Sequence, residues 1–394
     1  MSAIARYTHP AQFEPLLPQY RLDELRERSR PILEQSSRLT EAAHPATLAA
    51  LRELVRAMNS YYSNRIEGQH TPPRQIEQAL HHDFSSKPDV AKLQRIALAH
   101  IEAEQELEAK VAAGATPLGT AFLIEAHRAL YGRLTVQDRT TEDGRVVEPG
   151  ALRSEQVAVG RHEPPAHGSL SAFLVRMDIV YLRRHPLEDL MMVVAAAHQR
   201  AAWVHPFSDG NGRASRLQTH CALWPLGGGL WSVSRGLARQ RDWYYALLDA
   251  ADAPRQGDLD GRGNLSERAL REWCAWFIDV CADQVGFMSR MLQPDGVKAR
   301  ISALVTYRAA MDKAIRREAI LPLFHVFRAG PTPREEFQRM TGLGDRVARA
   351  LLSRLLETGL LTSPGHTAAV SFAFPLDSLQ FLLPELYPEA ATSP

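Results

Sequence analysis

The sequence contains only three cysteines in 394 residues, namely Cys221, Cys274 and Cys281. Their spacing is neither that of a zinc site nor that of a disulfide framework. Cys274 and Cys281 lie on one face of a predicted helix, but the helical rise between them is about 10 Å. A disulfide needs Cα atoms within about 7 Å of one another, so these two cannot pair. We therefore predict three reduced and buried thiols, as in a cytoplasmic protein.

Long apolar runs and a charge imbalance are also absent. The longest apolar run, residues 190–197, is much shorter than the roughly 20 residues that cross a bilayer. The first ten residues lack the apolar core of a signal peptide. The formal net charge of +1 gives no general attraction to nucleic acid or to a membrane surface. These absences predict a cytoplasmic protein without a membrane partner.

Helical periodicity dominates the sequence, which is long enough for two or three domains. Apolar residues recur at the spacing of amphipathic or buried helices, and turn residues separate the segments. We predict helices at residues 44–66, 72–80, 90–111, 116–131, 169–183, 187–203, 213–223, 239–251 and 264–291. A capping box formed by Asn264 and Glu267 would begin the last of these helices. The predicted fold class is therefore mainly α.

A glycine- and proline-rich segment, residues 145–168, interrupts the predicted helices. Within it, Val157, Ala158 and Val159 show the short alternation that is typical of a strand. We predict a short β-hairpin, or flap, in this segment.

The most informative stretch of the chain is His205-Pro-Phe-Ser-Asp-Gly-Asn-Gly-Arg-Ala-Ser-Arg216, which joins two predicted helices. Arg213 and Arg216 share one face of the first turn of the second helix. The helix dipole disfavours positive charge there by roughly 0.3–1 kcal/mol for each group. This break with a local rule predicts that an anion normally lies at the start of the helix. Gly210 and Gly212 would let backbone N–H groups close around that anion.

A carboxylate and an imidazole lie in the same stretch. Asp209 offers the hard oxygen ligands that suit Mg²⁺ bound mainly through phosphates. His205 has an unperturbed pKa of about 6.5, which suits a general base near neutral pH. No Walker A sequence occurs in the chain, so phosphate binding depends on this stretch. Together these residues predict a nucleotide phosphate site with a base beside it.

This stretch resembles the Fic family signature, HPFx[DE]GNGRxxR, at every specified position. The resemblance implies a helical Fic core that transfers a nucleoside monophosphate, usually AMP from ATP, to a protein hydroxyl group. It implies that His205 deprotonates a Ser, Thr or Tyr of the target and that Asp209 binds Mg²⁺, with Mn²⁺ as an alternative. The residues that would hold the phosphates are Gly210, Asn211, Gly212, Arg213 and Arg216.

A second short sequence, Ser63-Asn-Arg-Ile-Glu67-Gly68, lies far upstream. Ser63 and Glu67 are one helical turn apart, and Gly68 is a typical C′ residue. A capped helix end explains Gly68, but it does not explain Glu67, whose charge is unfavourable beside a helix C-terminus. The stretch also resembles the inhibitory motif of the Fic family, [ST]xxxE[GN]. That resemblance implies that Glu67 competes with ATP for Arg216, or that it orients water in an AMP-removing reaction.

Two further predictions follow from the position of residues relative to the Fic signature. The resemblance implies that the flap pairs with the extended backbone of a target protein, which makes Val157, Ala158 and Val159 target contacts. An ordinary edge hairpin is the alternative. Tyr244 and Tyr245 lie where related proteins contact the nucleotide base, but an aromatic residue at such a position is more often part of the core.

The C-terminal third predicts three short helices, at residues 321–328, 333–340 and 346–358, followed by two strands around Pro364-Gly365. This order resembles a winged helix, a small α+β module whose third helix reads DNA. Many such modules serve instead for dimerisation or docking. The arginines at 346, 349 and 354 are too few to decide between the two roles.

We predict three domains: an N-terminal helical region at residues 1–112, a Fic catalytic core at 113–292, and a winged-helix-like domain at 293–394. The resemblance implies ATP as substrate, a protein target that includes the protein itself, and a homodimer. The alternatives are removal of AMP, transfer of another nucleotide, and a nucleotide-sensing regulator that binds DNA. The absence of lysine near Gly212 argues against the phosphate-transferring Doc branch.

Overall fold

The structure of the protein is a computed structural model that describes residues 7–158 and 162–387. Within these residues it contains sixteen α-helices and one two-stranded sheet, which confirms the predicted mainly α fold. The helices are α1 (Leu22–Leu39), α2 (Pro45–Ile66), α3 (Pro73–Leu80), α4 (Pro88–Ala112), α5 (Thr120–Tyr131), α6 (Leu170–Tyr181), α7 (Leu190–Val204), α8 (Asn211–Ala222), α9 (Val233–Arg239), α10 (Arg241–Ala251), α11 (Glu267–Leu292), α12 (Pro294–Met311), α13 (Ile320–Ala329), α14 (Arg334–Met340), α15 (Asp345–Glu357) and α16 (Leu379–Leu382). The strands are β1 (Leu361–Thr362) and β2 (Ser371–Phe372).

Helix α7 lies within the larger hydrophobic core, because apolar residues cover almost its whole circumference. Helix α11 packs against α7, and α1 packs in turn on α11. The buried Trp273 of α11 donates a hydrogen bond from Nε1 to the carbonyl of Ala195 in α7, at 2.7 Å. The end of α7 is thus fixed, and with it the start of the loop at residues 205–210.

Helix α8 follows that loop and packs against α5, α7, α4 and α2. Every residue of α8 except Gly212 is buried, although three of them carry basic side chains, Arg213, Arg216 and His220. Buried charges are costly unless they find hydrogen-bonding partners. The neighbouring helices must therefore supply those partners.

Helix α2 begins and ends with capping residues that its sequence contains. At its start, the side chain of His44 accepts a hydrogen bond from the backbone N–H of Ala46, and Pro45 occupies the first helical position. At its end, Gly68 has φ of 78° and donates to the carbonyl of Arg65 at 3.1 Å, while Gln69 donates to Asn64 at 2.9 Å. This pair of bonds is a Schellman cap and confirms the C′ position predicted for Gly68.

Two helices begin at other residues than the sequence predicts. Helix α5 begins at Thr120 rather than near 116, because the Asp178 carboxylate of α6 accepts hydrogen bonds from the backbone N–H and the hydroxyl of Thr120, both at 2.7 Å. Helix α11 is capped by Ser266, which accepts from Ala269 at 3.1 Å. The prediction of Asn264 as its cap is wrong, since Asn264 donates instead to the carbonyl of Ala11.

The C-terminal part has the order of elements that the sequence predicts there. Helices α13, α14 and α15 precede the antiparallel pair β1–β2, in which Leu361 lies opposite Phe372. A single bridge between Thr332 and Val370 joins the segment before α14 to this pair. Buried residues of this part belong to the same hydrophobic core as α7 and α11, and the three predicted domain boundaries stay predictions.

Two predictions about the whole chain can be compared with the structure. Cys221, Cys274 and Cys281 are buried and unpaired, as predicted. Among the described helices, none combines the length and the apolar composition that crossing a membrane would require.

Candidate active site

The loop between α7 and α8 takes its shape from two residues with positive φ. His205 ends α7 with φ of 47° and ψ of 63°, an uncommon conformation for a residue with a side chain. Gly210 begins α8 with φ of 77°, and a Cβ atom there would lie 2.3 Å from the ring of Tyr131. Only glycine fits at position 210. The loop therefore reverses the chain and directs the N-terminus of α8 toward the same side as His205.

Asn211 fixes this loop from within. Its Oδ1 accepts a hydrogen bond from the backbone N–H of Phe207 at 2.9 Å, and its Nδ2 donates to the carbonyl of the same residue at 2.8 Å. Asn211 is buried, and these bonds engage both polar atoms of its side chain. Asn211 thus shapes the loop, and its contact with phosphates stays a prediction.

His127 and Tyr131 of α5 contact the loop through their rings and polar atoms. The sequence analysis missed both of them. His127 stacks on Phe207 with ring centroids 3.9 Å apart, and on Tyr131 at 4.4 Å. Its Nδ1 accepts from the N–H of Gly150 at 2.9 Å and its Nε2 donates to the carbonyl of Asp209 at 3.1 Å. Burial lowers the pKa of His127 to about 4, so the ring is neutral. The one signal in the sequence was the spacing of four residues between His127 and Tyr131.

Asp209 presents a charged carboxylate to an open cleft. Tyr131 donates to its Oδ2 at 2.7 Å and accepts in turn from Nη2 of Arg213 at 3.0 Å. Burial acts to raise the pKa of Asp209, but Arg213 and the Tyr131 hydroxyl outweigh it and hold the pKa below its usual range. The side chain remains 47% exposed and lines a cavity of about 530 Å³ together with Glu67 and Arg213. A charged, accessible carboxylate fits the prediction of a Mg²⁺ or Mn²⁺ ligand.

Arg216 receives its partners from the end of α2. Its Nε donates to the Ser63 hydroxyl at 2.9 Å, its Nη2 donates to the Ser63 carbonyl at 3.2 Å, and Nη2 also forms an ion pair with Glu67. The Arg216 side chain is 1% exposed and that of Glu67 is 31% exposed. A Cβ atom at Gly212 would lie 2.4 Å from Oε1 of Glu67. The Glu67 carboxylate therefore lies against the first turn of α8, where the sequence predicts an anion.

The Glu67 carboxylate is ionised in this position. Burial alone would raise the pKa of Glu67, but the guanidinium groups of Arg216 and Arg213 outweigh burial and lower the pKa below its usual value. The structure thus brings together residues from two segments that the sequence analysis singled out separately, Ser63 and Glu67 from the first and Gly212, Arg213 and Arg216 from the second.

The backbone of His205 contacts the segment that was predicted to form the flap. The buried Arg153 donates from Nε to the carbonyl of His205 at 2.8 Å, and its backbone N–H donates to Pro206 at 2.9 Å. His162 lies within 2.7 Å of the carbonyl of Trp203 through its Nε2. Burial, then His162 and Arg153, lower the pKa of His205 to about 4, so His205 is neutral at pH 7. The sequence analysis assigned no role to Arg153 or His162.

The predicted hairpin itself is only partly described. Residues 153–158 form no strand, Val157 is half-buried and Ala158 is exposed. Val159 lies outside the described residues. The flap and its target contacts therefore stay predictions, while Arg153 shows how the segment is attached to the loop after α7.

The two tyrosines of α10 have different surroundings. Tyr244 is 2% exposed, its hydroxyl lies 2.9 Å from Nε2 of His198, and its ring packs near Trp273. Tyr245 is 42% exposed and donates to the carbonyl of Ile66, the last residue of α2, at 3.0 Å. These positions favour the core alternative for Tyr244 and leave Tyr245 as the candidate for a base contact.

A buried group of ionisable residues lies behind α8. Within the described residues, ligand atoms of Glu104, Glu108 and His220 are within 4.8 Å of one another. Arg56 of α2 donates to Glu108 at 2.7 Å, and Nε2 of His220 lies 2.9 Å from the other oxygen. Burial would lower the pKa of His220, but the two glutamates outweigh it and raise the pKa to about 8. Burial raises the pKa of Glu104 to about 7, so this carboxyl is close to its midpoint at neutral pH. The group links α2, α4 and α8.

Comparison with known proteins agrees with this geometry. The sequence model of the Fic/DOC family matches residues 117–223, which contain the loop and both flanking helices. The chain is 28% identical over 184 residues to a protein named protein adenylyltransferase Fic of Aedes aegypti, a match that covers 44% of this chain and 33% of the relative. It is 33% identical over 138 residues to the protein of the same name of Culex quinquefasciatus, covering 35% and 24%.

The chain thus spans about a quarter to a third of the length of these curated relatives. A solved structure of a Fic family protein from Desulfovibrio desulfuricans G20 matches with a TM-score of 0.53 and 16% identity, covering 91% of this chain and 98% of the other. That likeness concerns the fold alone. The part of the chain that matches the Fic/DOC family model is the part that contains the loop between α7 and α8.

Proposed function

We propose that this protein transfers AMP from ATP to a hydroxyl group of a protein Ser, Thr or Tyr, and that Glu67 holds it in an inhibited state. The observation that supports the transfer most strongly is that a neutral His205 lies in the loop before α8. The first turns of α8 carry Arg213 and Arg216. The names of the curated relatives, protein adenylyltransferase Fic, agree with this chemistry.

In the proposed reaction, a ring nitrogen of His205 accepts the proton of the target hydroxyl. The hydroxyl oxygen forms a bond to the α-phosphorus of ATP, the bond to the β-phosphate oxygen breaks, and pyrophosphate leaves with that electron pair. His205 can act as a base because burial keeps its ring neutral at pH 7. The products are the AMP ester of the protein and pyrophosphate.

The phosphates would lie at the start of α8. The backbone N–H groups and the helix dipole favour negative charge there. Arg213 is buried with its guanidinium 5.6 Å from the centre of the Tyr131 ring, so it is already positioned to meet a phosphate. Asp209 is the residue that would hold Mg²⁺ or Mn²⁺, whose charge, when it is bound, neutralises part of the negative charge of the phosphates.

Inhibition would follow from the position of Glu67. Its carboxylate pairs with Arg216 and lies against Gly212, where we place the terminal phosphate of ATP. Two anions cannot share this guanidinium without strong repulsion. ATP bound beside Glu67 would therefore have its α-phosphate displaced from the line of attack. The same carboxylate could orient water, and we propose AMP removal as the alternative activity of this site.

The C-terminal elements give weaker support for a regulator that binds DNA. Arg346 and Arg349 are exposed on α15, as phosphate contacts would require. Arg354, the third predicted contact, instead forms ion pairs with Asp312 at 2.6 Å and Glu357 at 3.0 Å. A sequence-specific DNA complex that is weakened by salt and unaffected by His205→Ala would support this second function.

The choice of nucleotide can be tested with a variant that lacks the proposed inhibitory carboxylate. Purified Glu67→Gly protein would be incubated with Mg²⁺ and ATP, GTP, CTP or UTP in turn, with and without a cell lysate as a source of targets. Pyrophosphate release and the mass added to protein would be measured. We expect release with ATP and addition of AMP. Release with UTP alone would contradict the proposed substrate.

The rate of transfer should be nearly independent of pH between 5 and 8. The pKa of His205 is lowered to about 4, so the base is lost only as the pH falls through this value. A histidine with its ordinary pKa would lose activity below about 6.5. The measurement is kcat/KM of the Glu67→Gly variant against pH, with Mg²⁺ in excess and the fold checked by circular dichroism. A midpoint near 6.5 would contradict a buried, neutral His205.

Removing the hydroxyl of Tyr131 should slow transfer about tenfold, since a hydrogen bond to a charged group contributes roughly 1.5–3 kcal/mol. The hydroxyl bridges Asp209 and Arg213, and both residues would lose their mutual orientation. We would compare kcat of Tyr131→Phe and Tyr181→Phe in the Glu67→Gly background. Tyr181 is a suitable control because its buried hydroxyl donates to Leu16 at 2.8 Å. An equal loss in both variants would show that only general stability is affected.

A further inference from the structure

The C-terminal elements contact α2 at both of its ends. At the start of α2, the Thr47 hydroxyl donates to the carbonyl of Phe327 in α13 at 2.9 Å, and Arg328 donates to the carbonyl of Ala42. A Cβ atom at Gly330 would lie 2.3 Å from the ring of His44, so the chain after α13 approaches the capping residue of α2 closely. Helix α13 thus fixes the first turn of α2.

The second contact lies directly before Ser63, one of the residues that hold Arg216. The segment 383–387, which we call the C-terminal strap, follows α16. Tyr62 of α2 donates to the carbonyl of Leu386 at 2.8 Å. The ring of Tyr387 packs edge-on against that of Tyr61, with centroids 5.5 Å apart and planes at 86°. All four residues are buried.

The strap is attached to the Fic core as well as to α2. Arg235 of α9 donates from Nη2 to the carbonyl of Glu385 and from Nη1 to Gln284 of α11, both at 2.9 Å. Its guanidinium lies 3.9 Å from the centre of the Phe287 ring. The strap therefore joins the last two turns of α2 to a part of the core that does not belong to the nucleotide site.

We propose that the C-terminal strap positions the last turns of α2, and that displacing it releases Glu67 from Arg216. This inference rests on the proposed function. Tyr61 and Tyr62 adjoin Ser63, whose hydroxyl and carbonyl both bind Arg216. The end of a helix separates from its neighbours more readily than its middle. Loss of the strap contacts would therefore shift the population toward molecules with a free Arg216. Tyr387 is thus a positioning residue, which acts through α2.

The test compares Tyr387→Ala with Tyr307→Ala, each alone and combined with Glu67→Gly. Tyr307 belongs to the same part of the protein and packs on Phe381 with ring centroids 5.1 Å apart, whereas its helix, α12, does not carry the strap. The readouts are pyrophosphate release with ATP and Mg²⁺, and hydrogen exchange of the backbone of residues 60–67. Tyr62→Phe, which removes the hydroxyl that binds the Leu386 carbonyl and interacts with Arg235, replaces Tyr387→Ala if the latter does not fold.

We expect Tyr387→Ala to raise the rate of release about three- to tenfold over wild type, the range expected for loss of one buried aromatic pair. Exchange at residues 60–67 should become faster, and Tyr307→Ala should change neither quantity. In the Glu67→Gly background, Tyr387→Ala should have no further effect, because the ion pair between Glu67 and Arg216 is already absent.

Two results would overturn the inference. One is an unchanged rate in Tyr387→Ala with unchanged exchange of α2. The other is the same change of rate with and without Glu67, which would mean that Tyr387 acts independently of inhibition. Failure of the proposed function would be distinct, since the Glu67→Gly variant would then release no pyrophosphate at all.

Discussion

Replacing Glu67 with glycine is expected to raise the rate of AMP transfer about a hundredfold, the change associated with a misplacement of about 1 Å at a reacting centre. In the wild-type protein, the Arg216 side chain is 1% exposed and its guanidinium pairs with Glu67. The variant frees this guanidinium and removes a negative charge beside Gly212. The terminal phosphate of ATP could then occupy this position and align the α-phosphate. The measurement is the initial rate of pyrophosphate release at saturating ATP.

Glu357→Gly provides a matched control for this comparison. Glu357 is the last residue of α15 and also pairs with an arginine, Arg354, but it lies outside the candidate site. We expect wild-type rates from this control. Equal rates in wild type and Glu67→Gly, with ATP bound by both, would show that Glu67 does not inhibit transfer.

Replacing His205 with alanine in the Glu67→Gly background is expected to lower the rate by a factor of roughly 10²–10⁴, the usual contribution of a general base. ATP binding should be almost unchanged, because the proposed phosphate contacts come from Gly212, Arg213 and Arg216. The comparison requires kcat from single-turnover experiments and a separate measurement of the dissociation constant for ATP. His81→Ala, at an exposed position, is the control.

A fall in ATP affinity that accounts for the whole loss of rate would contradict this role. In that case, His205 would support the loop rather than remove a proton. His205 has a left-handed backbone conformation. Alanine at this position would be strained as well, so the substitution could also disturb the loop.

Local patterns predicted most of the helices and the central residues of the site. The apolar run of α7 and the glycines and arginines around α8 all lie within residues 190–216, so their relation could be inferred from spacing alone. The end of α2 was also predictable, because Gly68 occupies the position that a Schellman cap requires.

Other elements depended on contacts between distant segments. Helix α1 contains Pro31, which the sequence rules for a helix interior disfavour. It starts after Arg21, whose positive φ the sequence does not indicate. The start of α5 is set by Asp178 of α6. The sequence could not indicate which of two adjacent tyrosines is buried. Tyr244 is buried, whereas Tyr245 is 42% exposed.

The residues that support the site were the hardest to predict. Arg153 carries no motif, and its role follows from bonds to the carbonyl of His205, 52 residues away. The stacking of His127 on Phe207 joins residues that are 80 positions apart in the chain. The contact between Glu67 and Arg216 spans 149 residues and could be anticipated only through resemblance to a family motif.

The most direct test of the account is intact-mass spectrometry after incubation with ATP and Mg²⁺ in the presence of a cell lysate. Wild type, Glu67→Gly and Glu67→Gly/His205→Ala would be compared. The account predicts an added mass of one AMP, about 329 Da, on protein only with the single variant, because transfer needs both a free Arg216 and the base. The same added mass with the double variant, or with wild type to an equal extent, would contradict it.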